Sequence, residues 1–262
     1  MQLFGVVNAS PDSLNTDSIV TDATSALARA RSLLAQGCVG IDLGGQGSTD
    51  VATIVEPEVE RARLAAVLPA LASLGVPISV DTWKPEVADW ALSNGATVLN
   101  AADGLQAPGM HEVAAAHGCQ VVLPFLNGPD PRSLRHTEGD PVTAMELWFA
   151  AAIERAERYD IAERLVLDPG TGFAPLAWAW ESRYHYQKHV YSSLDRLRRF
   201  GLPLYVALPW KDTPQHRELM EIVVAAEVDY GRVHVPAQVH AAEQRIAART
   251  GSTRGSTPGA AT

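Results

Sequence analysis

Uninterrupted apolar runs recur along this chain, and each is followed by a longer stretch with helical spacing. The runs lie at residues 3–8 (LFGVVN), 38–44 (CVGIDLG), 76–81 (VPISVD), 96–101 (ATVLNA), 119–125 (CQVVLPF), 164–168 (RLVLD), 202–208 (LPLYVAL) and 231–235 (GRVHV). A half-exposed strand alternates apolar and polar residues, whereas a strand covered on both faces reads as a continuous apolar run. The intervening stretches at 24–36, 58–73, 85–94, 108–117, 142–159, 184–200, 214–227 and 237–249 carry apolar residues at helical spacing. Several open on a proline (Pro85, Pro108, Pro214) and several close on a glycine (Gly37, Gly75, Gly95, Gly118, Gly201). Those residues suit the first and last turns of helices. Strict alternation of eight strands and eight helices within 262 residues predicts a single-domain (β/α)8 TIM barrel over 1–249. A doubly wound open sheet is the competing arrangement, but so many repeats in one domain favour closure. The Gly/Ser/Thr/Ala-rich stretch 250–262 reads as a disordered tail.

Composition narrows the function. The chain has 21 Lys and Arg against 30 Asp and Glu, a formal charge of −9, which argues against a nucleic-acid-binding surface. No apolar run approaches the roughly 20 residues of a membrane span, and MQLFGVVNAS has no basic leader, so a cytoplasmic protein is expected. The two cysteines, Cys38 and Cys119, sit in strand-like runs and read as buried free thiols.

The polar residues collect where strands end. The first strand closes on Asn8, the second carries Asp42, the third ends at Asp81, the fourth at Asn100 and the sixth at Asp168. The seventh leads to Lys211, and the eighth contains Arg232 and His234. In a barrel these ends share one rim, so the side chains converge on one mouth. Asp81 or Asn100 taken alone could simply cap the next helix. Lys211, Arg232 and His234 cannot serve that way, and the alternation of strand side chains sends Arg232 and His234 to the same face. Carboxylates beside an Asn suit a heterocycle with amino and lactam edges, and the cations suit a phosphate or diphosphate. Asn8 could help hold Mg2+ together with phosphate oxygens. The six tryptophans read mainly as packing, with Trp210, beside Lys211, a candidate for lining a pocket.

Six segments then match a known pattern in order and spacing: GVVNASPDSL, IDLGGQGST, SVDTWKPEVADWAL, LNAADG, LVLDPGTGF and GRVHV. With them the chain resembles the dihydropteroate synthase family of pterin-binding enzymes from about residue 3 to 236. The resemblance implies condensation of dihydropterin pyrophosphate with p-aminobenzoate in folate biosynthesis, with pyrophosphate released. It implies a pterin pocket of Asp81, Asn100, Asp168 and Lys211 with Asp42 nearby, and Asp81, Asp168 and Lys211 as the catalytic set. It further implies pyrophosphate held by Arg232 and His234, Mg2+ met by Asn8, an acceptor side that includes Thr49 and Phe173, and a homodimer. The departures fall on that acceptor side. Gly47 looks inserted, and Ser48-Thr49-Asp50-Val51 stands where the family has Ser-Thr-Arg-Pro. Leu14 replaces a Phe, Pro124-Phe125 a Met-His, Ala174-Pro175 a Gly-Lys and Pro209-Trp210-Lys211 a Ser-Arg-Lys. A repurposed or non-catalytic pterin-binding paralogue is therefore the alternative expectation.

Overall fold

The computed structural model describes residues 1–13, 15–47, 52–173 and 178–253, with side chains to 249. Eight parallel strands run β1 (Gln2–Asn8), β2 (Cys38–Gly44), β3 (Ile78–Thr82), β4 (Val98–Ala101), β5 (Gln120–Pro124), β6 (Leu165–Asp168), β7 (Tyr205–Ala207) and β8 (Tyr230–Val233). The sheet order is β6-β5-β4-β3-β2-β1-β8-β7. The barrel closes between β6 and β7 through a Leu167–Leu204 bridge, with Leu167 N donating to the Pro203 carbonyl at 2.8 Å. This is the expected (β/α)8 barrel.

Its strands read as apolar throughout because each face meets a different apolar layer. Ile78, Val80, Leu99, Val121, Leu123, Leu165, Leu167, Leu204, Val206 and Val233 point outward and pack beneath the helices. Val98, Val122, Val166 and Tyr205 point inward and form a separate cluster that plugs the barrel, with Tyr230 against it. Two residues further along, the inward position changes character: Val98 gives way to Asn100, Val166 to Asp168 and Tyr230 to Arg232. A strand repeats its facing every second residue, so the inner wall is apolar at the bottom and polar at the top. The register draws the polar positions into one layer, with Gly44 opposite Asp81, Asp81 opposite Asn100 and Ala207 opposite Arg232.

The helices are α1 (Ala23–Ala35), α2 (Pro57–Ala65), α3 (Leu68–Ala72), α4 (Pro85–Ser93), α5 (Met110–His117), α6 (Pro141–Glu157), α7 (Trp180–Tyr191), α8 (Pro214–Ala225) and α9 (Pro236–Thr253). α1 is typical. Asp22 and Ser25 form a reciprocal capping box, and Ala26, Ala30 and Leu33 bury one stripe.

Three expectations change. The single helix read over 58–73 breaks at Ala66 and Val67, because Pro69 has no N–H to donate to Ala65. The helix read over 184–200 starts a turn earlier, at Trp180, and gives way to a 3-10 segment at Leu194–Phe200. α9 continues to Thr253, so the stretch read as a tail from 250 begins helically, and 254–262 lie outside the described residues.

Among the described residues no helix is long and apolar enough to cross a membrane. Cys38 and Cys119 are buried free thiols, and burial pushes Cys38 up to about 11.

Candidate active site

Asp42 is fully buried on β2, where its carboxylate joins two strands. It accepts from Arg232 Nε at 2.5 Å and from Asn100 Nδ2 at 3.3 Å. Arg232 Nη2 donates to Asp81 at 3.2 Å. Residues from β2, β3, β4 and β8, up to 190 positions apart, thus form one network. Arg232 loses hydration here, but Asp42 and Asp81 outweigh that loss and hold its guanidinium above its ordinary range.

Asp168 ends β6 and is buried, with Oδ1 accepting from Gly170 N at 2.9 Å. Gly170 has φ 68°, and a Cβ there would stand 2.0 Å from the Phe125 carbonyl oxygen, so only glycine can present that N–H. Burial pushes the Asp168 carboxyl up to about 7, with Asp42 adding and Gly170 and Arg232 opposing. Burial and Asp42 push Asp81 up to about 7 as well, against the pull of Arg232. Three carboxyls therefore share one guanidinium. An environment with more acid than base keeps a proton near neutral pH, or welcomes a ligand rich in N–H donors.

Asp81 and Arg232 of this network line a cavity of about 260 Å3 at the C-terminal rim of the barrel, whereas the buried Asp42, Asn100 and Asp168 are not among its lining residues. Asn8, Asp81, Lys211, Arg232, His234 and Trp210 line it, so Trp210 belongs to the site as well as to the packing. The Lys211 ammonium lies 5.6 Å from the Trp210 ring. Burial, Arg232 and Arg29 push His234 down to about 3, so the ring is neutral, and its buried Nδ1 has no partner among the described residues. Phe173 does not line this cavity. It faces a neighbouring recess with Phe125, Trp178 and Tyr186. Thr49, together with Leu14, Ser48, Asp50, Val51 and the pair Ala174-Pro175, lies outside the described residues.

The chain belongs to the pterin binding enzymes. Their family model matches residues 4–239. The chain is 33% identical over 216 residues to the dihydropteroate synthase of Escherichia coli K12, covering 80% of this chain and 73% of that one. A Yersinia pestis dihydropteroate synthase solved with a sulfonamide drug superposes with a TM-score of 0.81 at 28% identity, covering 95% of this chain and 94% of that one. The Thermus thermophilus dihydropteroate synthase bound to 4-aminobenzoate gives 0.76 at 30% identity, with 94% and 93% covered.

Against that family background, two groups stand out that sequence reading passed over. Lys84, just past β3, donates to Gln46 Oε1 at 2.6 Å, to the Val55 carbonyl at 2.5 Å and to Glu60 at 2.7 Å. It pins the loop after β2 to the buried Glu60. Asp12, in the loop after β1, accepts from Thr53 N at 3.2 Å and joins the first two loops. The second group, on α7 and α8, comprises Trp180, Arg183, Gln187 and His216, all lining the cavity. Trp180, Arg183 and Gln187 fall at i, i+3 and i+7, so the spacing was visible, but the stripe is not apolar and gave no amphipathic signal. The stretch 145–152 turns Met145, Phe149 and Ala152 into the core and leaves Leu147 72% exposed.

Proposed function

We propose that this chain is a dihydropteroate synthase-like transferase of folate biosynthesis, joining dihydropterin pyrophosphate to p-aminobenzoate. The observation that carries the reading is the polar layer of Asp42, Asp81, Asn100, Asp168 and Arg232 under a rim cavity, in a barrel of a family whose solved members include one bound to 4-aminobenzoate. Curated relatives at about a third identity are dihydropteroate synthases, which argues against a repurposed paralogue.

In this reading Asp81, Asn100 and Asp168 accept or donate along the amino and lactam edges of the pterin, and Lys211 bonds its ring carbonyl side. Asp42 orients Asn100 and Arg232. The carbon–oxygen bond between the pterin methylene and the pyrophosphate breaks, and its electron pair leaves with the pyrophosphate. Positive charge spreads over the pterin, where the Asp168 carboxylate stabilises it. The arylamine nitrogen donates its lone pair to the methylene carbon, then loses a proton to water. Arg232 and neutral His234 bond the departing oxygens.

Mg2+ fits one corner. Asn8 Nδ2 donates to Ser13 Oγ at 3.0 Å and Ser18 Oγ at 2.7 Å, which turns the amide oxygen toward Gly44. A Cβ at Gly44 would stand 3.2 Å from that oxygen, so glycine leaves the space open. Among the described residues no three His, Cys, Asp or Glu cluster to cage a metal. A single amide oxygen alongside pyrophosphate oxygens suits Mg2+, which keeps few protein ligands and would neutralise charge on the leaving group. A homodimer and a cytoplasmic location complete the proposal. Sedimentation tests the dimer, and a monomer at micromolar concentration would refute it.

The deciding experiment measures pyrophosphate release from dihydropterin pyrophosphate with and without p-aminobenzoate. Release that requires p-aminobenzoate is expected. Release indifferent to it, or pterin binding without turnover, would overturn the reading.

A further inference from the structure

The cavity contains a cation that, among the described residues, no carboxylate pairs with. Arg183, on α7, lines it, as does the acid cluster's own Arg232. Among the described residues its one side-chain hydrogen bond runs from Nη2 to the Gly172 carbonyl at 2.8 Å. Its Nε is buried and, among the described residues, has no hydrogen-bond partner. The other two strong cations on the cavity wall are committed. Arg232 is bound to Asp42 and Asp81 and assigned to the pyrophosphate, and Lys211 is assigned to the pterin ring. A guanidinium that loses hydration without gaining an anion costs free energy, so it persists where a ligand supplies the missing charge.

Its surroundings hold it in place. One helical turn below, Gln187 Nε2 donates to the Thr171 carbonyl at 2.8 Å, and the Thr171 hydroxyl bonds the Tyr191 hydroxyl at 2.9 Å. One turn above, Trp180 stacks on His216 of α8 with centroids 4.1 Å apart and planes 1° from parallel, and its indole N–H bonds Gln215. Thr213, the N-cap of α8, fixes His216 through Nδ1 at 2.7 Å. Arg183 is thus carried on a helix pinned at both ends, and Trp180 and Trp210 line the same cavity. A planar fork in a cavity that two indoles also line matches an aromatic carboxylate, because guanidinium and carboxylate pair through two parallel hydrogen bonds.

We propose that Arg183 is the receptor for the carboxylate of the acceptor arylamine, with Trp180 and Trp210 walling its ring. This rests on the transferase reading and names the side of the cavity from which the acceptor's amine approaches the pterin methylene.

The test compares wild type with R183Q and R183K, using steady-state kinetics with p-aminobenzoate and with neutral p-aminobenzamide. Charged hydrogen bonds of this kind correspond to at least about a tenfold change, so KM for p-aminobenzoate should rise by that factor in R183Q. R183K should recover part of it. KM for dihydropterin pyrophosphate should stay within about twofold, and the tenfold penalty should vanish with p-aminobenzamide, which has no charge to lose. Active R183Q with an unaltered KM for p-aminobenzoate would overturn the Arg183 assignment alone. A rise in KM for dihydropterin pyrophosphate instead would hand Arg183 to the pyrophosphate and equally overturn it. Wild type inactive with both arylamines would remove the transferase reading and this assignment together. Circular dichroism and thermal melting of both variants separate loss of binding from loss of fold.

Discussion

Replacing Asp168 by Asn should stabilise the folded protein at alkaline pH while disabling it. Asp168 is 5% exposed, and its carboxyl is pushed from the ordinary 3.8 up to about 7. A folded-state value above the unfolded one means that the folded chain holds the proton more tightly. That contribution to stability is fully present below about pH 4 and is lost as pH rises through about 7. The gap between the two values, at about 1.4 kcal/mol per pH unit, sets a ceiling of about 4 kcal/mol on the cost of ionising Asp168 in place. Asparagine keeps an oxygen for the Gly170 N–H but brings an amide N–H pair with no assigned partner, which returns about 1–3 kcal/mol. The expected net gain of the variant over wild type is at most about 1–3 kcal/mol at pH 8.5, shrinking toward zero or below at pH 5. Urea unfolding at pH 5, 6, 7 and 8.5 measures it through the midpoint. A difference that does not change with pH, or that grows as pH falls, would refute the account of why this carboxyl is hard to ionise. Turnover should fall by about two to three orders of magnitude in the same variant, as when a preorganised charge-stabilising group is removed. A stability gain paired with an activity loss is the signature of a group retained for chemistry.

Three further outcomes follow from the same network. Asp42→Asn removes the neighbour that, after burial, most raises Asp81, and leaves Arg232 to pair with Asp81 alone, so the Asp81 carboxyl should titrate well below 7 by carbon-13 NMR; an unmoved titration would refute the coupling. Lys84→Met should cost about 3–5 kcal/mol, because Glu60 is 1% exposed and would be buried without its ion partner. Adding Glu60→Leu should restore much of that loss in urea titrations, and a double variant as unstable as the single one would contradict it. Lys211→Ala should abolish pterin binding by calorimetry, and retained affinity would remove Lys211 from the pterin pocket.

The sequence carried the barrel because burial leaves a local trace. Strands covered on both faces are apolar throughout, helix starts and stops carry proline and glycine, and neither pattern needs distant contacts to be read. The polar strand ends were legible for the same reason: Asp42, Asn100, Asp168 and Arg232 interrupt runs that are otherwise apolar. Asn8, Lys211 and His234 were found at the cavity wall by the same logic. Phe173 was not, because residues that follow a strand are positioned by loops, and loop paths depend on what they pack against.

Which partners these residues choose was decided only in three dimensions. Nothing local in RVHV says that Arg232 closes on Asp42, 190 positions away, and thereby leaves three carboxyls with one guanidinium. That choice follows from the register, which sets the polar ends of β2, β3, β4 and β8 side by side. Arg183 was hidden in the opposite way. On the chain it is one of many arginines on a helix, ordinarily a solvated group, and only the placement of α7 at the mouth turns it into a cation lining the rim cavity. Periodicity reports how much of a residue is covered, while charge and hydrogen bonding depend on what covers it, and that is a property of the closed barrel.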